Sequence, residues 1–206
     1  MVNKSKKVKN LFNFDSENDD FILCGIDEAG RGPLAGPLVM AGVILLRRIN
    51  GLEDSKLLTE AKRERLYERI IERSRMHLVI FDHKEIDRDG ISLCIRRGLE
   101  EIRSVLGGEG VGFLFDGNSS YGVPGIATMV KADAQIRQVA AASILAKVTR
   151  DRIMQKYGEA FPLYGFERHK GYGTREHIAA IERYGYCPIH RRSFQIKKHR
   201  SEEKLF

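Results

Sequence analysis

After about twenty polar and charged residues the chain reaches its first apolar run, Phe21-Ile-Leu-Cys-Gly-Ile26. A run this short, bounded by turn formers, predicts a buried strand. A Gly/Pro loop from Ala29 to Pro37 follows, then a second run, Leu38–Leu46, so residues 21–46 read as a hairpin opening a sheet. The period then changes. Leu66, Tyr67, Ile70 and Ile71 recur at helical spacing between charges, predicting a helix over Thr59–Arg75. His77–Phe81 reads as a strand. Ser92 is the expected cap of a second helix, with Ile95, Leu99, Ile102 and Leu106 on one stripe. Val111–Phe115 is a further strand running into Asp116, and Ile126–Val130 a short one. Ala134–Tyr157 predicts a long helix, with Ile136, Val139, Ala140, Ser143 and Ile144 as a packing face of mostly small residues. Gly158–Gly173 reads as a loop rich in glycine and aromatics, and Arg175–Tyr184 as a last helix before a basic tail. Strands alternating with helices define an α/β class, and the opening hairpin makes the sheet mixed.

The 206 residues fit one domain, or one domain and a small appendage. A hydrophobic share of 42% is ordinary for a globular chain and supplies a sizeable core. The formal charge is +7, and the basic excess gathers at the ends: Lys4, Lys6, Lys7 and Lys9, then Arg191, Arg192, Lys197, Lys198 and Arg200. Such ends attract phosphate backbones or anionic membranes, or simply keep the chain soluble. The longest apolar run, nine residues, is far short of a membrane span, and no apolar segment near the start resembles a secretory signal. Cys24, Cys94 and Cys187 are widely separated and read as reduced thiols in a cytoplasmic chain.

The acids carry more information. Asp27-Glu28 directly follows the first apolar run, where neither carboxylate can sit in a core unpaired. Strand alternation sends adjacent side chains to opposite faces, so aiming both at one point needs a bend or bulge; Gly30 and Gly32 supply the freedom. Asp116 ends another apolar strand, and Asp133 lies between a strand and the long helix. Each alone also reads as a turn former or a helix cap. Together, four carboxylates at one end of a sheet need a counter-charge, which hard divalent cations with oxygen ligands provide. Two such ions about 3.5–4 Å apart clamp the attacking and leaving oxygens of a phosphodiester. Asp151 fails the distance test: eighteen residues past Asp133 on one continuous helix it is some 27 Å away. It reads as structural, paired with Arg150 or Arg152.

Gly30-Arg31-Gly32-Pro33-Leu34-Ala35-Gly36-Pro37 is neither a Walker loop nor a dinucleotide fingerprint. Its glycines let backbone amides approach an anion, although most Gly/Pro loops are only loops. With the preceding residues it makes GIDEAGRGPLAGPLV, which resembles the start of the prokaryotic ribonuclease HII family, the type 2 ribonucleases H. The resemblance continues at Asp54-Ser55-Lys56, Phe115-Asp116-Gly117, Lys131-Ala132-Asp133, the run from Ala140 to Asp151, and His169 to Thr174, covering about residues 21–192.

The resemblance implies a ribonuclease H-like mixed sheet flanked by helices, with a helical C-terminal extension. Residues 1–20 would be a flexible basic arm, 21–192 the catalytic domain with its extension, and 193–206 a basic tail. The implied activity is metal-dependent endonucleolytic cutting of RNA in RNA–DNA hybrids and 5′ of ribonucleotides embedded in duplex DNA, leaving 3′-hydroxyl and 5′-phosphate ends; that chemistry belongs to ribonucleotide excision repair. By motif position Asp27, Glu28, Asp116 and Asp133 would be the catalytic carboxylates holding Mg2+ or Mn2+. Gly30, Arg31 and Gly32 would sense the ribonucleotide 2′-OH, Tyr172 would pack against the sugar beside the RNA–DNA junction, and Lys56 would approach a backbone phosphate. The expected partner is the nucleic-acid duplex, with no membrane and no obligate protein partner, the chain being a monomer. Bacterial members usually carry glycine where this chain has Ala132, and alanine disfavours positive φ. The GRG triplet, and about twenty residues before the first strand, favour type HII over type HIII. Two other readings share these features: a non-catalytic nucleic-acid-binding module whose acids are structural, and a ribonuclease H-like enzyme that cuts or exchanges DNA and ignores the 2′-OH.

Overall fold

A computed structural model of the chain describes residues 22–52 and 58–195. Strands β1 (Ile22–Ala29), β2 (Leu38–Leu45), β3 (Ser74–Phe81), β4 (Val111–Asp116) and β5 (Ile126–Met129) form one sheet in the order β3-β2-β1-β4-β5. β1–β2 and β2–β3 are antiparallel, while β1–β4 and β4–β5 are parallel, giving the mixed sheet expected of the opening hairpin.

Both faces of the sheet are covered, which is why its central strands read as unbroken apolar runs. On β2, Leu38, Met40 and Ile44 face one cluster while Val39, Ala41 and Val43 face another. The first cluster is closed by α3 (Ile91–Leu106) through Cys94, Ile95, Leu99, Ile102 and Leu106. The second is closed by α1 (Glu60–Arg73) through Leu66, Tyr67 and Ile70 and by α4 (Arg137–Ala160) through its alanines. Ile71, expected on the buried stripe of α1, is 40% exposed. α4 lies almost on the sheet. A Cβ at Gly25 would come within 2.3 Å of the Gln138 and Val139 backbone, so only glycine allows this approach.

One helix was not expected, and three local expectations need correction. Helix α2 (His83–Asp89) follows β3 with Asp82 and Glu85 forming a capping box; it presents a single buried residue, Ile86, so no apolar stripe announced it. Ser92 does not cap α3: Gly90 occupies the N-cap at φ 77°, ending α2 and starting α3. The long helix begins at Arg137, after a separate 3-10 turn at Ala132–Ala134. The glycine- and aromatic-rich segment contains a short helix, α5 (Phe166–His169), before α6 (Arg175–Tyr184).

The helical C-terminal region packs Tyr164, Phe166, Ala180, Cys187 and Ile189 against Ala35 and Met154. It also binds the loop between β1 and β2 directly. Leu34 N–H donates to Gly171 O at 2.8 Å, Gly36 N–H to Ile189 O at 3.0 Å, and Arg191 N–H to Leu34 O at 2.8 Å. The arm expected over residues 1–20, and Lys56, lie outside the described residues. No helix among the described residues is long and apolar enough to cross a membrane.

Candidate active site

Parallel pairing of β1 with β4 sets Ile26 beside Phe115, so the next residues, Asp27 and Asp116, leave the sheet side by side. The third acid comes from the turn after β5. Lys131 adopts a left-handed conformation at φ 59° and turns the chain into the 3-10 segment that carries Asp133. Ala132 is not among the positive-φ residues, so alanine fits there without strain. Asp116 holds this turn by accepting from Ala132 N–H at 3.3 Å and Asp133 N–H at 3.5 Å. Asp133 is therefore not the cap of the long helix; Ile136 takes that position. Carboxylate oxygens of Asp27, Asp116 and Asp133 all lie within 4.8 Å of one another.

Glu28 is placed differently. The β1–β2 ladder runs from Gly25↔Val43 to Ala29↔Val39 without an extra residue, so the expected bulge is absent and alternation separates the vicinal pair. Asp27 shares the face of Gly25, against α4, and its carboxylate is hydrogen-bonded by Ser143 of that helix. Glu28 lies outside the group of three; its Oε1 accepts from Arg31 Nη1 at 3.1 Å, while its buried Oε2 has no hydrogen-bond partner.

The electrostatics are those of crowded carboxylates. Burial, and then the negative charge of Glu28, push the Asp27 carboxyl well above its usual range. Burial also raises Glu28, against the opposing pull of Arg31, and burial with the neighbouring Asp133 raises Asp116. Oxygen donors gathered this closely fit a hard divalent cation. Asp151 is not part of the cluster; its partner is Lys147 Nζ at 2.6 Å, not Arg150 or Arg152.

A cavity of about 420 Å³ opens beside these acids, lined by Glu28, Gly30, Arg31, Gly32, Arg63, Ser143, Lys147 and Tyr172 among others. The glycine loop and Tyr172 thus share one cavity with Glu28. Arg31 is tethered to Glu28 and donates to Tyr121 Oη at 2.6 Å. Tyr172 is 46% exposed, with the Arg150 guanidinium 5.7 Å from its ring centre. Sequence reading missed Arg63, Ser143 and Lys147. Arg63 sits among alternating charges of α1 and gives no signal of its own, whereas Ser143 and Lys147 lie inside the Ala140–Asp151 motif.

A mixed sheet covered by helices, with aspartates converging from β1, β4 and the turn after β5, defines a ribonuclease H-like hydrolase. The family model for Ribonuclease HII matches residues 24–104 and 118–197. Ribonuclease HII of Sulfurovum sp. (strain NBC37-1) is 58% identical over 181 residues, covering 88% of this chain and 95% of that protein. The protein of the same name from Aliarcobacter butzleri is 54% identical over 175 residues, 85% of this chain and 91% of its own. Among solved structures, the chain is similar to ribonuclease HII of Archaeoglobus fulgidus, solved in complex with PCNA, with TM-score 0.74 and 26% identity over 87% of this chain and 98% of that one. The chain belongs to the ribonuclease HII family: it is a metal-dependent endoribonuclease of the ribonuclease H type, cutting the RNA strand of RNA–DNA hybrids.

Proposed function

We propose that the chain also incises duplex DNA on the 5′ side of single embedded ribonucleotides, by two-metal-ion hydrolysis that leaves 3′-hydroxyl and 5′-phosphate ends. The observation that carries this reading is the position of the Gly30-Arg31-Gly32 loop, in one cavity with Tyr172 and beside the Asp27, Asp116 and Asp133 carboxylates. A site that reads one ribose must bring a 2′-OH-sensing surface within a nucleotide of the cutting centre. The rim carries Arg31, Arg63 and Lys147, cations suited to the phosphates of the duplex. Asp27, Glu28, Asp116 and Asp133 are the residues that would hold the ions, and Mg2+ or Mn2+ suits an all-oxygen donor set. When bound, such ions lower the pKa of water and offset charge developing on the phosphate oxygens.

The protein's own groups do the rest. Asp116, by accepting from the amides of the Asp133 turn, fixes the spacing of two of the carboxylates. Ser143 orients Asp27. Arg31 holds one oxygen of Glu28, and the other, buried, has no hydrogen-bond partner among the described residues. Tyr172 presents a flat, half-exposed face on which a sugar can rest. Lys56 would contact a phosphate. We assign residues 21–192 to the catalytic domain and its extension, with the chain acting as a cytoplasmic monomer in ribonucleotide excision repair.

The test uses a labelled DNA duplex with one internal ribonucleotide, incubated with and without Mg2+ or Mn2+. A single metal-dependent cut on its 5′ side is the expected result. Cutting of long hybrids alone would remove the junction-sensing role of the loop. Metal-dependent cutting of an all-DNA duplex would move the chain to the DNA-cutting class, and absence of cutting by folded protein would favour a binding module.

A further inference from the structure

Two arginines are almost completely buried, Arg150 at 1% exposure and Arg191 at 0%, and among the described residues neither has a carboxylate within ion-pair distance. They are spent on one segment of backbone. Arg191 donates through Nη2 to Gly30 O at 2.7 Å, through Nη1 to Arg31 O at 3.2 Å and through Nε to Gly36 O at 2.9 Å. Arg150 donates through Nε to Pro37 O at 3.0 Å and through Nη2 to Ala35 O at 3.2 Å. A buried cation without a counter-ion is a costly brace, and a loop that needed only packing could be held by apolar side chains. What the guanidinium adds is a rigid fork of donors that fixes the direction of several carbonyls at once.

That direction has a consequence on the other side of each peptide. In a trans peptide the C=O of one residue and the N–H of the next point opposite ways, and no cis bond is present. With Gly30 O and Arg31 O turned into Arg191, the amides of Arg31 and Gly32 turn away from it, and both residues line the cavity that Tyr172 also lines. We propose that Arg191, braced by Arg150, is a positioning residue for ribose recognition: by holding the Gly30 and Arg31 carbonyls inward it presents the Arg31 and Gly32 amides to the substrate sugar. This rests on the functional reading above. Burial and the nearby Arg150 draw the Arg191 pKa down to about 9, so the group is still cationic at neutral pH.

The segment carrying Arg191 is seated from outside by Asp87 of α2. Its carboxylate accepts from Arg192 N–H at 2.8 Å, Ser193 N–H at 2.9 Å and Ser193 Oγ at 2.6 Å. This anchor touches neither the cavity nor the acids, so it offers an exposed handle on the same device.

The test is a cycle between protein and substrate. Single-turnover cutting is measured on duplexes carrying one ribonucleotide or its 2′-fluoro analogue, for wild type, Arg191→Lys and Asp87→Ala. Lysine keeps charge and stem but cannot reach three carbonyls. The expected result for Arg191→Lys is a loss of about tenfold or more on the ribonucleotide and a smaller loss on the 2′-fluoro substrate. The ratio of the two rates should fall at least threefold, with duplex affinity within about twofold of wild type. The ratio is insensitive to the fraction of active protein, and if Arg191→Lys fails to fold, Asp87→Ala carries the test with a smaller fall in the same ratio. Equal losses on both substrates, or an unchanged ratio in Asp87→Ala when that variant is the one read, overturn the positioning role. A wild-type protein that cuts both substrates equally fast overturns the functional reading itself, and the positioning role with it.

Discussion

Replacing Asp27 by Asn should have opposite effects on stability with and without metal. Carboxylate oxygens of Asp27, Asp116 and Asp133 lie within 4.8 Å of one another. At that separation and an effective dielectric of about 20, each ionised pair repels by at least about 3.5 kcal/mol. Three such pairs would cost on the order of 10 kcal/mol, comparable to the whole stability of a domain. Burial and the neighbouring charges accordingly raise the Asp27, Glu28 and Asp116 carboxyls, the direction that relieves this repulsion. Asparagine removes the charge while keeping an oxygen to accept from Glu28 N–H, a bond of 2.7 Å in the native chain. Because the raised Asp27 carboxyl takes up a proton more readily than a free one, the gain is a fraction of the full repulsion, about 1–3 kcal/mol, which in a chain this size raises Tm by roughly 2–10 °C.

Saturating Mn2+ or Mg2+ reverses the order. At a metal concentration a hundred times Kd, wild type gains about 2.7 kcal/mol, and the variant, lacking a ligand, forfeits most of that. The assay is thermal unfolding of both proteins in chelator and in a metal titration, with strand cutting measured in parallel. The variant should melt above wild type in chelator, below it in saturating metal, and cut at background rates. A folded Asp27→Asn protein that melts below wild type in chelator, or that cuts at full rate, refutes the reasoning.

Three further outcomes follow from other parts of the structure. Gly30 has φ 101° and its Cβ would lie 2.3 Å from Arg150 Nε, whereas a Cβ at Gly32 meets nothing within 4 Å. Gly30→Ala should lose at least about 2 kcal/mol in denaturant titration, and Gly32→Ala should keep its stability while losing activity, because only the substrate would meet the new methyl. His190 Nδ1 accepts from Cys187 N–H, so its Nε2–H faces His177 Nε2 at 3.0 Å, and His177 Nδ1–H donates to Tyr172 O. Burial lowers the pKa of each imidazole from 6.5 to about 4. The unfolded chain therefore takes up these protons first, and stability present above pH 6.5 is lost as pH falls toward 4. At about 1.4 kcal/mol per unit each ring loses on the order of 3 kcal/mol, and His177→Gln should flatten that stretch of the stability–pH curve. Tyr172→Ala should reduce preference for the RNA–DNA junction more than it reduces duplex binding; equal losses in a gel-shift and cutting comparison would remove its sensing role.

The strands were legible because burial on both faces turns β1, β2 and β4 into continuous apolar runs, and the acids because Asp27 and Asp116 each end such a run. Helix α2 was not, since Asp82–Asp89 carries one buried apolar residue and its only local signature was the capping box of Asp82 and Glu85. The two helices that meet at Gly90 could not be divided by looking for a polar cap, because a glycine at φ 77° serves both ends. The cavity was half legible. Its glycine loop and Tyr172 stand in distinctive motifs, but the arginines that hold the loop do not announce themselves. Arg191 adjoins Arg192 in a basic tail, and Arg150 adjoins Asp151 and Arg152, yet Arg191 and Arg150 are buried while Arg152 lies on the surface against Glu64 and Glu68. Composition treats such neighbours alike; only tertiary contact assigns one to solvent and the next to a backbone carbonyl.

The unbroken β1–β2 ladder bears on chemistry as well as on legibility. Had the pair Asp27-Glu28 sat on a bulge, both carboxylates could have entered one group of ligands. The regular register instead leaves Asp27 on the α4 face with Ser143 and sends Glu28 to the other face, where Arg31 takes one of its oxygens. Asp116, at the end of β4, raises the carboxyls on both sides of this divide. The two acids should therefore fail differently. Glu28→Gln leaves the three aspartates intact, so it should keep most of the metal-induced rise in Tm that Asp27→Asn loses, while its cutting rate falls by about tenfold to a thousandfold as one ligand or proton acceptor near the phosphate is removed. Metal titrations followed by thermal unfolding, paired with single-turnover cutting, separate the two quantities. A Glu28→Gln protein that loses the metal-dependent rise as completely as Asp27→Asn would mean that Glu28 crosses to join the aspartates when the ion binds, and that alternation along β1 does not divide the labour of the vicinal pair.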